Sequence, residues 1–291
     1  MKAKANGVEI EYESFGREGD PVILLVMGLG AQLTLWPDAL CEKLANKGFR
    51  VIRYDNRDVG LSTKLDAAGV PEMAEIFSGA AKPAYTLDDM AADGAALLDA
   101  LSIERAHIVG ASMGGMIAQL IAANHPEKVL SLTSIMSTTG NPAVPPATPE
   151  AMAALTTRLP ADASLDAMID NAVKNYGVIG SPAHDYNTPE ERAKIRRGLQ
   201  RSIYPAGFAR QMAAIVANGD RREKLKGVTA PTGVIHGEVD PLVNLEGGKD
   251  TAASIKGAEL IVIPGMGHDL PPFVLDQVVD AIAKTAGRVH A

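Results

Sequence analysis

A serine set between glycines, Gly110-Ala111-Ser112-Met113-Gly114, follows the apolar run Ala106-His107-Ile108-Val109 and precedes the helix-forming stretch at 115–123. The run before it reads as a buried strand. A serine on so sharp a strand-to-helix turn has strained backbone angles, and the strand and helix can close around it only if its neighbours are small. Gly110 and Gly114 supply the room, and Ala111 and Gly115 keep the surroundings slim. The turn lifts the hydroxyl clear of the sheet and over a helix N-terminus, which marks Ser112 as a candidate nucleophile.

The rest of the chain alternates in the same way. Val8–Glu13 interleaves apolar and acidic residues, as a half-exposed strand does. Val22–Val26 is apolar throughout and reads as a strand buried on both faces. It ends in the two-glycine loop Met27-Gly28-Leu29-Gly30. Residues 37–47 read as a helix with Pro37 in its first turn and Gly48 as its stop. Residues 50–55 form the next strand, and 64–83 an irregular surface excursion. Thr86, with Asp88 and Asp89 after it, caps a helix over 87–101. A strand over 129–136 follows the Ser112 helix.

Composition shifts at Gly140-Asn141-Pro142 and Pro145-Pro146-Ala147-Thr148-Pro149. From there to about residue 226 the pattern is helical, rich in Ala, Met, Arg and Asp, with breaks at Pro160, 177–182, Pro189 and Pro205. Strand alternation returns at 232–236 and 258–263, with helices near 249–256 and 274–286. The expected organisation is an α/β core over 1–139 and 229–291, interrupted by a helical cap over 140–228. Its central sheet is expected to be mostly parallel, with helices on both faces.

Ligand sites in such sheets gather beyond the carboxyl ends of the strands. Ser112 follows one such end. Asp240 follows another through Gly237-Glu238-Val239, and His268 a third through Pro264-Gly265-Met266-Gly267. A serine hydroxyl needs an imidazole to take its proton, and the imidazole needs a carboxylate to fix its tautomer and stabilise its charged form. His268 is therefore assigned as base and acid, and Asp240 as its orienter, with Glu238 and Asp269 as competing carboxylates. His107, His125, His184, His236 and His290 read as packing, capping or surface residues. An oxyanion needs two preorganised amide donors; Met113, directly after the nucleophile, and Leu29 in the Met27–Gly30 loop are the candidates. Trp36 near that loop either lines an acyl pocket or packs the first helix. The methionines at 152, 168 and 212 read as packing. Gly28-Leu29-Gly30 lacks the third glycine of a dinucleotide fingerprint, so no cofactor-binding residues are assigned.

These motifs together resemble the α/β-hydrolase superfamily over nearly the whole chain: Gly110–Gly115, His236-Gly237-Glu238-Val239-Asp240, Gly267-His268, and Asp55-Asn56-Arg57-Asp58-Val59-Gly60-Leu61-Ser62, similar to that superfamily's D-x-R-x-x-G-x-S loop. Val26-Met27-Gly28, Trp36-Pro37 and Arg53–Ser62 are similar to the aclacinomycin methylesterase group of bacterial esterases. The resemblance implies a capped carboxylic ester hydrolase that works without cofactor on a small-molecule ester. Carbon–carbon bond hydrolases of aromatic catabolism carry a similar elbow, and some non-catalytic receptors keep the fold. Relatives with aspartate at the elbow are disfavoured by Ser112. Met27-Gly28 stands where many members have His-Gly, so the backbone donor survives without that side chain. Asp55 and Arg57 read as a structural ion-pair loop bracing the site.

Charge and composition limit the partners. The formal net charge of −7 has both signs scattered and no basic block, which argues against nucleic acid. The single cysteine, Cys41, allows no intrachain disulfide and no cysteine-based metal cluster. The first residues carry lysines but no apolar h-region, and 22–26 is too short to span a bilayer, so a cytoplasmic protein without membrane association is expected.

Overall fold

The computed structural model describes residues 1–157, 159–160 and 162–290, and the side chain of His290 lies outside the described atoms. Eight strands form one sheet: β1 (Lys2–Ala5), β2 (Val8–Phe15), β3 (Val22–Val26), β4 (Arg50–Tyr54), β5 (Ala106–Ala111), β6 (Val129–Ile135), β7 (Thr232–Gly237) and β8 (Glu259–Ile263). Their spatial order is β1-β2-β4-β3-β5-β6-β7-β8. β1 and β2 pair antiparallel, as do β2 and β4, and every later pairing is parallel. Eleven α-helices are described: α1 (Asp38–Asn46), α2 (Met73–Phe77), α3 (Leu87–Ala100), α4 (Met113–Asn124), α5 (Pro149–Thr156), α6 (Leu165–Ile179), α7 (Pro189–Arg201), α8 (Pro205–Asn218), α9 (Arg222–Leu225), α10 (Leu245–Ser254) and α11 (Leu275–Gly287).

The two faces of the sheet have separate cores, and the strand period of two decides which residue joins which. In β3, Leu24 and Val26 face α3 and α4 with Ile52, Ile108 and Leu132. Ile23 and Leu25 face the other way, toward Leu40 and Leu44 of α1 and Val278 and Ile282 of α11, with Val51 and Ile235. All five residues of β3 are buried, as a doubly covered strand requires. Each such side chain contributes about 1.5–3 kcal/mol of transfer free energy. Cys41 lies in the second core, where burial pushes its thiol up to about 12.

Local signals set most boundaries. Thr86 caps α3 in a reciprocal box with Asp89. Pro189 and Pro205 are the first residues of α7 and α8, so these prolines start helices rather than break them. Other positions differ from the sequence reading. The N-terminal residues form β1, whose four residues carry too short a pattern to stand out without their partner β2. The excursion at 64–83 contains α2, whose Ile76 packs under Met212 of α8. Gly177 lies within α6, which ends at Gly180 instead. The helix expected near 249 begins at Leu245, capped by Asn244. Between β6 and β7 the described residues contain helices and no strand.

Candidate active site

The site is built at the carboxyl edge of the sheet. β5 delivers Ser112 with φ 58° and ψ −123°, a conformation that L-residues avoid. Close packing holds it there. A Cβ on Gly110 would lie 2.0 Å from the Gly114 carbonyl oxygen, and one on Gly114 2.0 Å from that of Val26. The Ser112 amide donates to Ile135 O at 2.9 Å. Its side chain makes no helix cap, although the residue occupies the N-cap position of α4. The hydroxyl is thus free to meet another partner.

That partner is His268. Its Nε2 lies 2.9 Å from Ser112 Oγ, and its Nδ1 lies 2.7 Å from Asp240 Oδ2. An ionised carboxylate can only accept, so Nδ1 carries the proton and Nε2 presents its lone pair to the serine hydroxyl. Asp240 Oδ1 accepts the amides of Leu242 and Val243 at 2.9 Å each, which fixes the carboxylate plane. Asp240 is 6 % exposed, so water competes little for it.

The other carboxylates and histidines fall elsewhere. Glu238 is exposed. Asp269 binds Ser181 and Tyr186 rather than His268. His236 is fully buried beneath Asp240, with Nε2 donating to Val243 O at 2.8 Å and 3.7 Å from Asp240 Oδ2. Burial lowers its pKa, so it is held neutral. His107 lies in β5 beside Ser131, and His184 pairs with Glu191.

The Met27–Gly30 loop lies directly against the serine: a Cβ on Gly28 would sit 3.1 Å from Ser112 Cβ and 3.5 Å from Oγ. Among the described residues, neither the Leu29 nor the Met113 amide donates to a protein acceptor. The loop is held by two buried side chains. Asn56 donates to Met27 O at 2.9 Å, and Gln211 accepts the Gly30 amide at 2.8 Å while donating to Arg57 O at 2.9 Å. Trp36 is fully buried in the core that α1 and α11 share. Met212 is buried beside Ile76, Met168 is half-buried and Met152 is 36 % exposed.

The Asp55–Ser62 loop makes ion pairs outward rather than within itself. Arg57 grips Asp93 of α3 through two bonds of 2.6 Å. Asp58 is held by Arg210 of α8 at 2.7 and 3.0 Å. Asp55 meets Arg201 of α7 at 2.7 Å and accepts the Leu33 amide at 2.7 Å. Gln211, Arg210 and Arg201 were not singled out by the sequence. The available signal was Arg210-Gln211 set inside Ala209, Met212, Ala213 and Ala214, because polar residues within an apolar helix face require buried partners.

A mostly parallel sheet with a strained serine after β5, a carboxylate after β7 and a histidine after β8 defines an α/β hydrolase by fold and arrangement. The chain belongs to the alpha/beta hydrolase fold family, whose model matches residues 21–272. It is 28% identical to the rhodomycin D methylesterase of Streptomyces peucetius over 94% of each chain. It is 27% identical to the 2-hydroxy-6-oxononadienedioate/2-hydroxy-6-oxononatrienedioate hydrolase of Paraburkholderia xenovorans, over 90% of this chain and 84% of the relative. Among solved structures, the enol-lactonase from Burkholderia xenovorans superposes with a TM-score of 0.76 at 26% identity, covering 99% of this chain and 100% of the other. No helix among the described residues is long and apolar enough to cross a membrane.

Proposed function

We propose that the chain is a serine hydrolase that cleaves carboxylic esters of small molecules through an acyl-enzyme. The observation that carries this reading is the unbroken hydrogen-bonded series Asp240–His268–Ser112, with 2.7 and 2.9 Å links, at the strained elbow. His268 Nε2 takes the hydroxyl proton as Ser112 Oγ attacks the ester carbonyl. The amides of Leu29 and Met113 receive the developing oxyanion. Nε2 then returns the proton to the departing alkoxide. Water repeats the sequence on the acyl-serine, with His268 again as base. Asp240 stays ionised throughout, holding Nδ1–H and stabilising the transient imidazolium.

Residues 140–228 act as a cap over the strand ends and shape the acyl pocket. The pairing of Arg201, Arg210 and Gln211 with the Asp55–Asp58 and Met27–Gly30 loops supports this. The methylesterase relative supports ester hydrolysis. A second reading, carbon–carbon bond hydrolysis, is favoured by the dienedioate hydrolase relative. A non-catalytic receptor would have no need of a strained serine poised on an imidazole.

The test is hydrolysis of chromogenic short-chain esters and of methyl esters, against a 2-hydroxy-6-oxo-dienoate. Ester turnover abolished by a serine-directed phosphonate and indifferent to chelator is the expected result. Turnover of the dienoate alone would favour the second reading. Chelator-sensitive, phosphonate-insensitive turnover would remove Ser112 from the mechanism.

A further inference from the structure

Three consecutive residues of the His268 loop are bound to the inserted helical segment. Gly267 N donates to Ser181 Oγ at 2.9 Å, and His268 N donates at 2.8 Å to Ile179 O, a carbonyl left without a partner by the end of α6. Asp269 Oδ1 accepts both the amide and the hydroxyl of Ser181, at 2.9 and 2.6 Å. Asp269 Oδ2 accepts Tyr186 Oη–H at 2.5 Å. The approach is close: a Cβ on Gly267 would lie 2.4 Å from the Gly180 backbone. Tyr186 is itself immobilised, stacked on Tyr176 at 5.6 Å and met edge-on by His184 at 4.7 Å. Ser181 is fully buried.

Asp269 forms no ion pair among the described residues, and all its partners are neutral donors. Its carboxylate acts as a junction: it orients the Ser181 hydroxyl, whose oxygen in turn accepts the Gly267 amide one residue before the histidine. Without that junction the turn at Gly267 has one anchor fewer, and the imidazole at its end is displaced in proportion. Misplacement of a reacting group by about 1 Å can cost on the order of a hundredfold in rate.

We propose that Asp269, through Ser181 and Tyr186, is a positioning residue that keeps His268 in register with Ser112. This rests on the hydrolase reading above. Three variants of the full chain test it: Asp269→Ala, Asp269→Asn and Tyr186→Phe. Asp269→Ala should lower kcat for a chromogenic ester by on the order of ten- to a hundredfold, with KM little changed. Asp269→Asn keeps an oxygen to accept both Ser181 donors, and its amide can donate to Tyr186 Oη, so it should recover most of kcat. Tyr186→Phe should cost a few-fold alone and nothing further in Asp269→Ala. The ring 15N shifts of His268 report the same geometry without substrate: a single Nδ1–H tautomer in the wild type and Asp269→Asn, a mixture in Asp269→Ala.

Unchanged kcat and an unchanged tautomer in Asp269→Ala would overturn the proposal, even with a lowered Tm. Equal impairment in Asp269→Ala and Asp269→Asn would overturn it in favour of a charge effect. Should Asp269→Ala fail to fold, Ser181→Ala and Tyr186→Phe must shift kcat and tautomer in the same direction, or the proposal falls. If the wild type turns over no ester but the tautomer responds, the hydrolase reading fails and the positioning of His268 stands.

Discussion

Asp240 divides its carboxylate between two tasks: Oδ2 lies 2.7 Å from His268 Nδ1, and Oδ1 accepts the Leu242 and Val243 amides. The second task makes the first possible, because a carboxylate pinned by its own turn cannot rotate away when the imidazole becomes charged. It also separates the chemistry of residue 240 from its part in the fold.

Asp240→Asn should therefore fold. Its Oδ1 can still accept both amides, but its Nδ2 would face Nδ1 of His268 and favour the wrong tautomer. A loss of kcat on the order of ten thousandfold is expected. Exposed Glu238 should tolerate Glu238→Gln with no change, and steady-state kinetics of the two variants side by side check the assignment.

Ser112→Ala should lower ester turnover by several orders of magnitude and abolish phosphonate labelling. Ser112→Gly should be equally inactive and more stable than Ser112→Ala. A residue at φ 58° and ψ −123° holds strain of about 1–3 kcal/mol, part of which glycine releases. Calorimetry of the two variants gives the sign; a lower Tm for Ser112→Gly would show that the elbow is not strained.

Gln211→Ala strands the Gly30 amide and the Arg57 carbonyl, each paired among the described residues through that buried side chain alone. Destabilisation of about 1–3 kcal/mol for each unpaired group sets the scale of the stability loss. The loop carrying Leu29 should loosen as well, and kcat should fall more than KM rises. A pure stability loss, with kcat intact well below Tm, would disconnect α8 from oxyanion stabilisation.

Stability should fall on acidification in two windows. Burial holds the folded pKa of His236 below its unfolded value of about 6.5. The unfolded chain therefore binds the proton first, and stability present above about pH 6.5 is lost as pH falls toward the folded value. Asp58 behaves alike at lower pH. Burial opposes its charge, but Arg210 and the Leu65 amide outweigh that and hold the carboxyl below the usual range. Its contribution is present above about pH 3.9 and lost as pH falls through the depressed value. Each group can add a slope of up to about 1.4 kcal/mol per pH unit. Denaturant midpoints should show the upper window flattened in His236→Gln. Arg210→Met, which leaves a buried carboxylate unpaired, should cost about 3–5 kcal/mol near neutral pH.

Much of this molecule is set by near neighbours, and that part is legible in the chain. Apolar runs at 22–26 and 106–109 are buried strands because no solvent-facing alternation interrupts them. The Thr86 cap follows from its spacing to Asp89, and the Ser112 turn from the glycines around it. Ser112, Asp240 and His268 could be named because each follows a strand end in a loop of distinctive composition. That they meet at 2.7 and 2.9 Å is a property of the sheet order, which lays β5 and the later strands β7 and β8 along one edge. The remaining contacts belong to tertiary structure alone. Gly30 and Gln211 are 181 residues apart, Asp58 and Arg210 are 152, and Gly267 and Ser181 are 86. Helical periodicity states which side of α8 is apolar but not which loop it will cover. Only when α8 lies against the Met27–Gly30 and Asp55–Ser62 loops do Arg210 and Gln211 acquire partners. Burial then converts side chains that would be solvated on an isolated helix into obligatory hydrogen-bonding groups.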